Sequence, residues 1–362
     1  MGLAYRGLDD PAKMAAVDVD PMSVRKIAAA LKLSPSTVSL ALRHSDKIPL
    51  PTRERVLKQA ERIGYRPSAK LKEVMSQLRL TRVRPVDSCF GVISFYDALR
   101  PWERSAHLTR IFASMDARAT QLGYRLEPLL MRGPGMTFRR FRSILDARGI
   151  QGLLTFGSPN LQEQFPPEFD HYAVVTIGLS IETPLHRVTS HFYNDLTHAL
   201  QRVYAMGYRR PGLVLGRYED HRSAHMYIGA YLAWCESTFG NTVAPVLRMD
   251  RVEEEPLLNW LRHYSPDVIV LVHVYDVLNE FSQVLNRSRI RVPQDIGVAA
   301  VTQILEGTGI SGMQQNQSLM GAWAVELLEA RIMHQDFGIP ANPRIEMVES
   351  HWIDGGSLRV LA

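Results

Sequence analysis

The apolar and polar positions of residues 22–66 predict three short helices around a small core. Four apolar residues recur with the helical period and indicate a first amphipathic helix with Ser23 as its N-cap: Val24, Ile27, Ala28 and Leu31. Lys32 and Leu33 then form a tight turn. A short helix followed by a tight turn is typical of a small helical domain.

Ser34 followed by Pro35 is the preferred order for opening a helix, because serine caps the N-terminus and proline fits the first helical position. The second helix is predicted from Pro35 to about Leu42. Its inner side is assigned to Val38, Ala41 and Leu42, and its outer side to Pro35, Ser36, Ser39, Leu40 and Arg43.

A third helix is predicted to open after Thr52 and to end at Gly64, with an apolar side made of Val56, Leu57, Ala60 and Ile63. Two helices joined by so short a turn, with small polar residues on the outer side of the second, are typical of a helix-turn-helix.

From Ser88 onward, short β-rich apolar runs alternate with helical stretches, which predicts parallel sheets with helices on both faces. The predicted strands are FGVIS, YRLEPLLM, GLLTF, YAVVTIG, PGLVLG, VAPVLRM, DVIVLV, IGVAAV and IEMVES. The helices predicted between them include one from Leu108 to Leu122 that stops at Gly123, one near Phe138–Ala147 and one around residues 224–239. The length of this region indicates two such sheets side by side, with a ligand cleft at the carboxyl ends of their strands.

Three pieces of the chain, in this order, resemble the lac/purine repressor family (LacI type) of bacterial transcriptional regulators: IAAALKLSPSTVSLAL, TRERVLKQAERIGYRP and SAKLKEV. The resemblance extends to GYRRPGLVLG and VPQDIGVAAV. It implies an α/β fold, in which an N-terminal three-helix DNA-binding domain precedes a two-lobed, doubly wound core like that of periplasmic binding proteins. It also implies a homodimeric regulator, a repressor rather than an activator, on a pseudo-palindromic double-stranded DNA operator.

The segment after Pro67 corresponds to the family's hinge helix, which wedges an apolar side chain into the minor groove. Val74 occupies the wedge position, where the family has leucine, and Leu71 lies one turn earlier. A plain solvated linker is the alternative. The predicted domains are a disordered extension at 1–21, the helix-turn-helix at 22–66, the hinge and linker at 67–87, and the effector-binding and dimerisation core at 88–362.

By resemblance, Pro35, Ser36 and Leu40 lie where the family reads base edges. Leu40 cannot donate a hydrogen bond to guanine, so an apolar contact to a thymine methyl is expected there. The serine and threonine hydroxyls and the arginine guanidinium in this part of the chain suit contacts with DNA phosphates. The alternative for each group is that it only caps its helix or faces solvent. The complete predicted DNA-binding set is Ser23, Ser34, Pro35, Ser36, Thr37, Ser39, Leu40, Arg43, Ser68, Lys70, Leu71 and Val74.

Charge is distributed unevenly along the 362 residues. Residues 22–84 carry a net charge of +11, whereas the rest of the chain carries −6. Such a concentration is the electrostatic footprint of a module that binds phosphates. Cys89 and Cys235 give no disulfide framework, and neither a membrane-spanning run nor a signal peptide is apparent, so a cytoplasmic protein is expected. Either residues 1–21 are an extension or Met22 is the true start.

The ligand positions depart from the family pattern. Met226 stands where an effector-binding arginine is usual, and Thr302 and Gln303 stand where an aspartate is usual. The effector is therefore expected to be altered or absent, although the resemblance implies a carbohydrate-like small molecule. The residues that could line a cleft at strand ends are Tyr96, Asp97, Arg217, Tyr218, His273, Thr302 and Gln303.

Two other classes of function compete. Asp220, His221 and His225 could belong to a metal-dependent enzyme, because histidines at i and i+4 can share a helix face. No third ligand and no catalytic or phosphate-binding motif accompanies them, so no enzyme, cofactor or metal is predicted. The third class is a DNA-binding dimer whose core senses no ligand.

Overall fold

The computed structural model describes residues 22–42, 48–63, 88–160, 162–241, 244–272, 275–302 and 305–361. The chain divides into two compact units, Met1–Val83 and Arg84–Ala362. Predictions for residues 1–21, for Arg43, and for the hinge residues Ser68, Lys70, Leu71 and Val74 lie outside the described residues.

The first unit contains the three predicted helices, α1 (Met22–Leu31), α2 (Pro35–Leu42) and α3 (Leu50–Arg62). Their shared core is small, and its buried members come from all three helices and from a residue shortly before α3: Ile27, Ala28, Val38, Ala41, Ile48, Val56 and Ala60. Each helix contributes one apolar side to this core.

Several details of this unit differ from the prediction. Helix α1 begins at Met22, so Ser23 lies within the helix rather than at its N-cap. Helix α3 begins at Leu50, because Pro51 in its first turn fixes a helical φ angle. Ile63 follows the helix and is exposed. Leu40 is half-buried against the core, since a leucine side chain two residues from Val38 is long enough to cover the edge of so small a core.

The second unit consists of two lobes, each built on a six-stranded sheet. In lobe 1 all neighbouring strands are parallel and run in the order β11-β5-β4-β3-β1-β2. These strands are β1 (Cys89–Ser94), β2 (Arg125–Leu130), β3 (Gly152–Thr155), β4 (Ala173–Ile177), β5 (His186–Ser190) and β11 (Ile345–Val348). Helices cover both faces: α4 (Ala106–Gln121) and α11 (Gln317–His334) on one, α5 (Phe138–Ala147) on the other.

Lobe 2 has the strand order β12-β10-β9-β8-β6-β7, with β12 antiparallel to β10. Its strands are β6 (Pro211–Leu215), β7 (Leu247–Arg248), β8 (Val268–Val272), β9 (Gly297–Thr302), β10 (Ser311–Gln314) and β12 (His351–Ile353). Its helices are α6 (Phe192–Ala205), α7 (Arg217–Arg222), α8 (Met226–Phe239), α9 (Glu254–Tyr264) and α10 (Tyr275–Arg287).

The chain passes between the lobes three times: from β5 to α6, from β10 to α11, and from β11 to β12. Each lobe is consequently assembled from distant parts of the sequence. The predicted architecture of two doubly wound parallel sheets is confirmed, but strands β5, β10 and β12 and the short helix α7 were not predicted.

Candidate functional site

The N-terminus of α2 is fixed by a serine cap. The backbone N–H of Thr37 donates to Ser34 Oγ over 3.0 Å, and the hydroxyls of Ser34 and Thr37 lie 2.7 Å apart. The preceding turn is tight because Lys32 takes a left-handed conformation at φ 56° and Leu33 N–H donates to the Ala28 carbonyl over 2.9 Å. The cap and turn together set the direction of α2 relative to α1.

Part of the predicted DNA-binding set lies in helices that the structure describes. Pro35 is exposed at the start of α2, and Thr37, two residues later, is half-buried. Ser23 belongs to α1, and Ser36 and Ser39 belong to α2. The DNA contacts of these residues stay predictions.

A cavity of about 380 Å³ lies in the second unit at the carboxyl ends of the lobe 1 strands β1, β3 and β4. Tyr218 and Arg222, on α7 of lobe 2, close its other side. The lobe 1 residues that line it come from the loops after these strands and from the start of α4: Tyr96, Asp97, Ala98, Pro101, Arg104, Ser105, His107, Leu108, Phe156, Ser158, Ile177, Gly178, Leu179 and Ser180. This is the place at which doubly wound folds bind ligands.

The wall after β3 is fixed by close packing and hydrogen bonds. Gly157 takes φ 79°, and a Cβ atom there would lie 2.4 Å from Ser180 Oγ. Ser158 N–H donates to Ser180 Oγ over 2.9 Å, and the Ser158 hydroxyl donates to Glu163 over 2.9 Å. The loop therefore has little freedom and presents a rigid polar edge to the cavity.

Two titratable side chains of the cavity are held neutral. Burial, with the nearby Tyr218 hydroxyl second, raises the pKa of Tyr96 to about 12. Burial, with the positive charge of Arg222 second, lowers the pKa of His107 to about 3. At neutral pH the cavity therefore contains a protonated phenol, which can donate a hydrogen bond, and an uncharged imidazole.

The structure brings three of the predicted effector residues together in the cavity, namely Tyr96, Asp97 and Tyr218. Arg217 is exposed and lies 3.7 Å from Asp250 in an ion pair, outside the cavity lining. Thr302 is buried at the end of β9. His273 and Gln303 lie outside the described residues.

Sequence reasoning missed Arg222, His107 and Phe156. Arg222 belongs to helix α7, which is too short to give a periodic signal. His107 lies at the start of a helix that was correctly predicted, and Phe156 directly follows strand β3. The rule that ligands bind beyond the carboxyl ends of parallel strands could have identified both of these residues.

The histidines of the alternative metal site do not share a helix face. Helix α7 ends at Arg222, and His225 takes a left-handed φ of 60° before α8 begins. The two imidazole centroids are 6.3 Å apart, and His225 Nδ1 lies 3.0 Å from the buried Asp220 carboxylate. Within the described ranges, no group of three His, Cys, Asp or Glu side chains could hold a metal ion. The i and i+4 prediction is thus wrong, because the helix breaks between the two residues.

Comparison with known proteins supports the same architecture. Residues 200–358 match the family model described as a periplasmic binding protein-like domain. None of the curated proteins matches the chain. Among the helices that the structure describes, none has the length and apolar character needed to cross a membrane.

Solved structures with this fold include three transcriptional regulators. A CelR–cellobiose complex is 19% identical with a TM-score of 0.57, over 92% of this chain and 99% of that chain. A lac repressor dimer bound to operator and the anti-inducer ONPF is 15% identical with a TM-score of 0.56, over 95% and 100% of the two chains. A LacI family protein from Silicibacter pomeroyi is 16% identical with a TM-score of 0.52, over 94% and 100%. The predicted fold class and the resemblance to the lac/purine repressor family are confirmed at the level of the fold.

Proposed function

We propose that this chain, which has the fold of LacI-type transcriptional regulators, is a sequence-specific DNA-binding regulator that acts as a homodimer and responds to a small molecule. The observation that carries the proposal is the presence, in one chain, of a serine-capped helix-turn-helix and a two-lobed core with a cavity between its lobes. The solved regulators cover both parts, because they align with more than nine-tenths of the chain.

The first unit supplies what a DNA reader needs. Helix α2 presents Pro35 and Thr37 near a short, rigid turn, and the basic side chains Lys26 and Lys32 are exposed on the same unit. The net charge of +11 over residues 22–84 provides the phosphate attraction that steers such a unit to DNA. The two-fold symmetry of a homodimer would require an inverted repeat in the operator.

The second unit supplies the sensor. Tyr218 and Arg222 from lobe 2 meet the lobe 1 wall across the cavity, so a ligand held by both would favour the closed arrangement of the lobes. The proposed effector is carbohydrate-like, as is the cellobiose in the CelR complex. We infer a repressor, because the lac repressor shares the complete arrangement of domains.

In vitro selection of duplex DNA from a random library tests the proposal. The intact chain is expected to enrich an inverted repeat, and removal of residues 1–83 is expected to abolish enrichment while sedimentation still shows a dimer. Selection of no sequence by the intact chain would contradict it. A core that binds no member of a sugar and nucleoside panel in calorimetry would favour the alternative of a DNA-binding dimer without a ligand.

A further inference from the structure

Two arginines from opposite lobes line the cavity: Arg104, which is exposed, and Arg222, which is half-buried. Arg104 ends the 3-10 helix Pro101–Arg104 of lobe 1, and Arg222 ends α7 of lobe 2. Among the described residues neither has a carboxylate within ion-pair distance, whereas Arg217 on the same helix as Arg222 is paired with Asp250. Arg222 instead lies over the Tyr218 ring, with 5.9 Å between its Cζ atom and the ring centroid.

The charges of the side chains that line the cavity are not balanced. Asp97 is the one carboxylate among the residues that line the described cavity, and it is exposed. His107 adds no charge at neutral pH and Tyr96 remains a hydrogen-bond donor, since burial shifts the pKa of each away from neutrality. Arg222 is close enough to act on both pKa values. Its positive charge therefore reaches into the cavity.

Several polar side chains of the lining are hydrogen-bond donors. Guanidiniums only donate, and protonated tyrosine hydroxyls readily donate. The acceptor at Ser180 Oγ is already used by the N–H of Ser158. A ligand that supplies acceptor oxygens and negative charge would satisfy these groups, and arginine binds carboxylates and phosphates through two parallel hydrogen bonds.

An apolar wall adjoins the polar groups. Phe156, Leu108 and Ile177 line the cavity, and Phe156 is supported from behind by Trp102 at a centroid distance of 5.5 Å. Trp102 is in turn stacked on Phe112 at 3.9 Å. This wall is rigid and suits the apolar face of a ring.

We propose that the effector is a carbohydrate-like molecule with an anionic group, a carboxylate or a phosphate, which is bound by Arg222 and Arg104 while its ring lies against Phe156. The inference rests on the proposed sensor function of the cavity. In this proposal Arg222 binds the effector. It takes over the role of the arginine that is usual in the family at the position of Met226.

Isothermal titration calorimetry on the full chain tests the inference with matched probes: aldohexoses, their uronic acids and their 6-phosphates. The tightest binder is expected to be anionic and to bind at least about tenfold more tightly than its neutral parent, because a hydrogen bond between charged groups is worth roughly that much. The uronic acid and phosphate arms distinguish the two sources of charge.

Variants then identify the residues. Arg222→Gln and Arg104→Gln are each expected to remove most of the preference for the anionic probe. Arg287→Gln, which removes the same charge from an exposed pair with Glu254 on lobe 2, is expected to leave the preference intact. Circular dichroism melting of each variant reports whether it is folded.

Two results would overturn the inference: a neutral probe that binds as tightly as its acidic partners, or a panel in which no anionic probe binds. Neither result bears on DNA recognition, because the selection of an inverted repeat is measured on the same chain without any ligand. Failure of that selection together with a preference for anionic probes would instead contradict the proposed regulator.

Discussion

The backbone N–H of Ser350 donates to the buried carboxylate of Asp195 over 3.4 Å. Ser350 lies on the passage from β11 to β12, and Asp195 lies in the first turn of α6, directly after the passage from β5. The contact therefore joins two of the three crossings between the lobes. The other carboxylate oxygen of Asp195 has no hydrogen-bond partner in the part of the chain that the structure describes.

Asp195 should make stability depend on pH. Burial raises the pKa of its carboxyl from 3.8 to about 7, against the opposing effect of the Ser350 hydrogen bond and with a further increase from Glu349. Between pH 4 and 7 the folded state thus retains a proton that the unfolded state has lost. The free energy of unfolding should fall as pH rises through this range, by up to about 4 kcal/mol at 1.36 kcal/mol per pKa unit.

Urea unfolding from pH 4 to 8 measures this dependence. Asp195→Asn should flatten the slope and should be more stable than the parent chain above pH 7. Asp116→Asn, at an exposed position of α4, is the control and should leave the slope unchanged. Equal slopes for the parent chain and Asp195→Asn would show that Asp195 ionises in the folded state near its ordinary pKa.

A pair of glycines should respond in opposite directions to alanine. A Cβ atom at Gly321 on α11 would lie 2.0 Å from Ser114 Oγ and 2.4 Å from the Ile111 carbonyl oxygen of α4, whereas one at Gly229 on α8 would meet nothing within 4 Å. Gly321→Ala should cost about 1–3 kcal/mol through overpacking. Gly229→Ala should raise the free energy of unfolding by about 0.5–1 kcal/mol, because alanine is the better helix former.

Chemical denaturation of the two glycine variants measures the change in the free energy of unfolding that each substitution causes. An unchanged stability of Gly321→Ala would mean that α4 and α11 can move apart without cost, against the close packing of the two helices on lobe 1.

The Ser34 cap separates stability from DNA contact. Ser34→Ala should destabilise α2 by about 1 kcal/mol, since the N–H of Thr37 loses its acceptor. Ser34→Asp keeps a capping oxygen and should preserve thermal stability, but its negative charge should weaken binding if Ser34 also contacts a phosphate. Melting curves and fluorescence anisotropy with the selected DNA distinguish the two roles. Equal affinity of Ser34→Asp and the parent chain would restrict Ser34 to capping.

Strongly periodic segments were predictable, and polar buried strands were not. Helix α5 was predicted over residues 138–147, and the structure has it there, because its apolar side repeats cleanly. Strand β5 was missed because its sequence is HRVTS, although all five residues are buried. Its polar side chains are satisfied within the fold: Arg187 donates to three backbone carbonyls of the loop just before the strand, and His186 lies 3.1 Å from Asp336 of a distant segment. The apolar pattern of the strand itself gives no sign of either set of partners.

The residues of the candidate site likewise divide into those that could be predicted from the sequence and those that could not. Tyr96 and Asp97 were found because they follow an apolar strand, whose end marks the ligand edge of a parallel sheet. Tyr218 was found by the same rule because it follows β6, whereas Arg222 was missed because it lies one turn further along α7, a helix too short to give a periodic signal. Contacts between lobes depend on the complete fold, so they cannot be read from the spacing of residues along the chain.

Leu40→Arg should change base preference. Leu40 is half-buried on α2 and cannot donate a hydrogen bond, so the parent chain should show no guanine preference at the base pair it faces. An arginine there can bind guanine O6 and N7 through two hydrogen bonds, which is worth about 1–3 kcal/mol of discrimination. Leu40→Met retains the apolar contact with the core and serves as the control, with the base preference of the parent chain. Selections performed with all three chains should therefore differ at one position of each half-site. An identical consensus for Leu40→Arg and the parent chain would place residue 40 away from the bases.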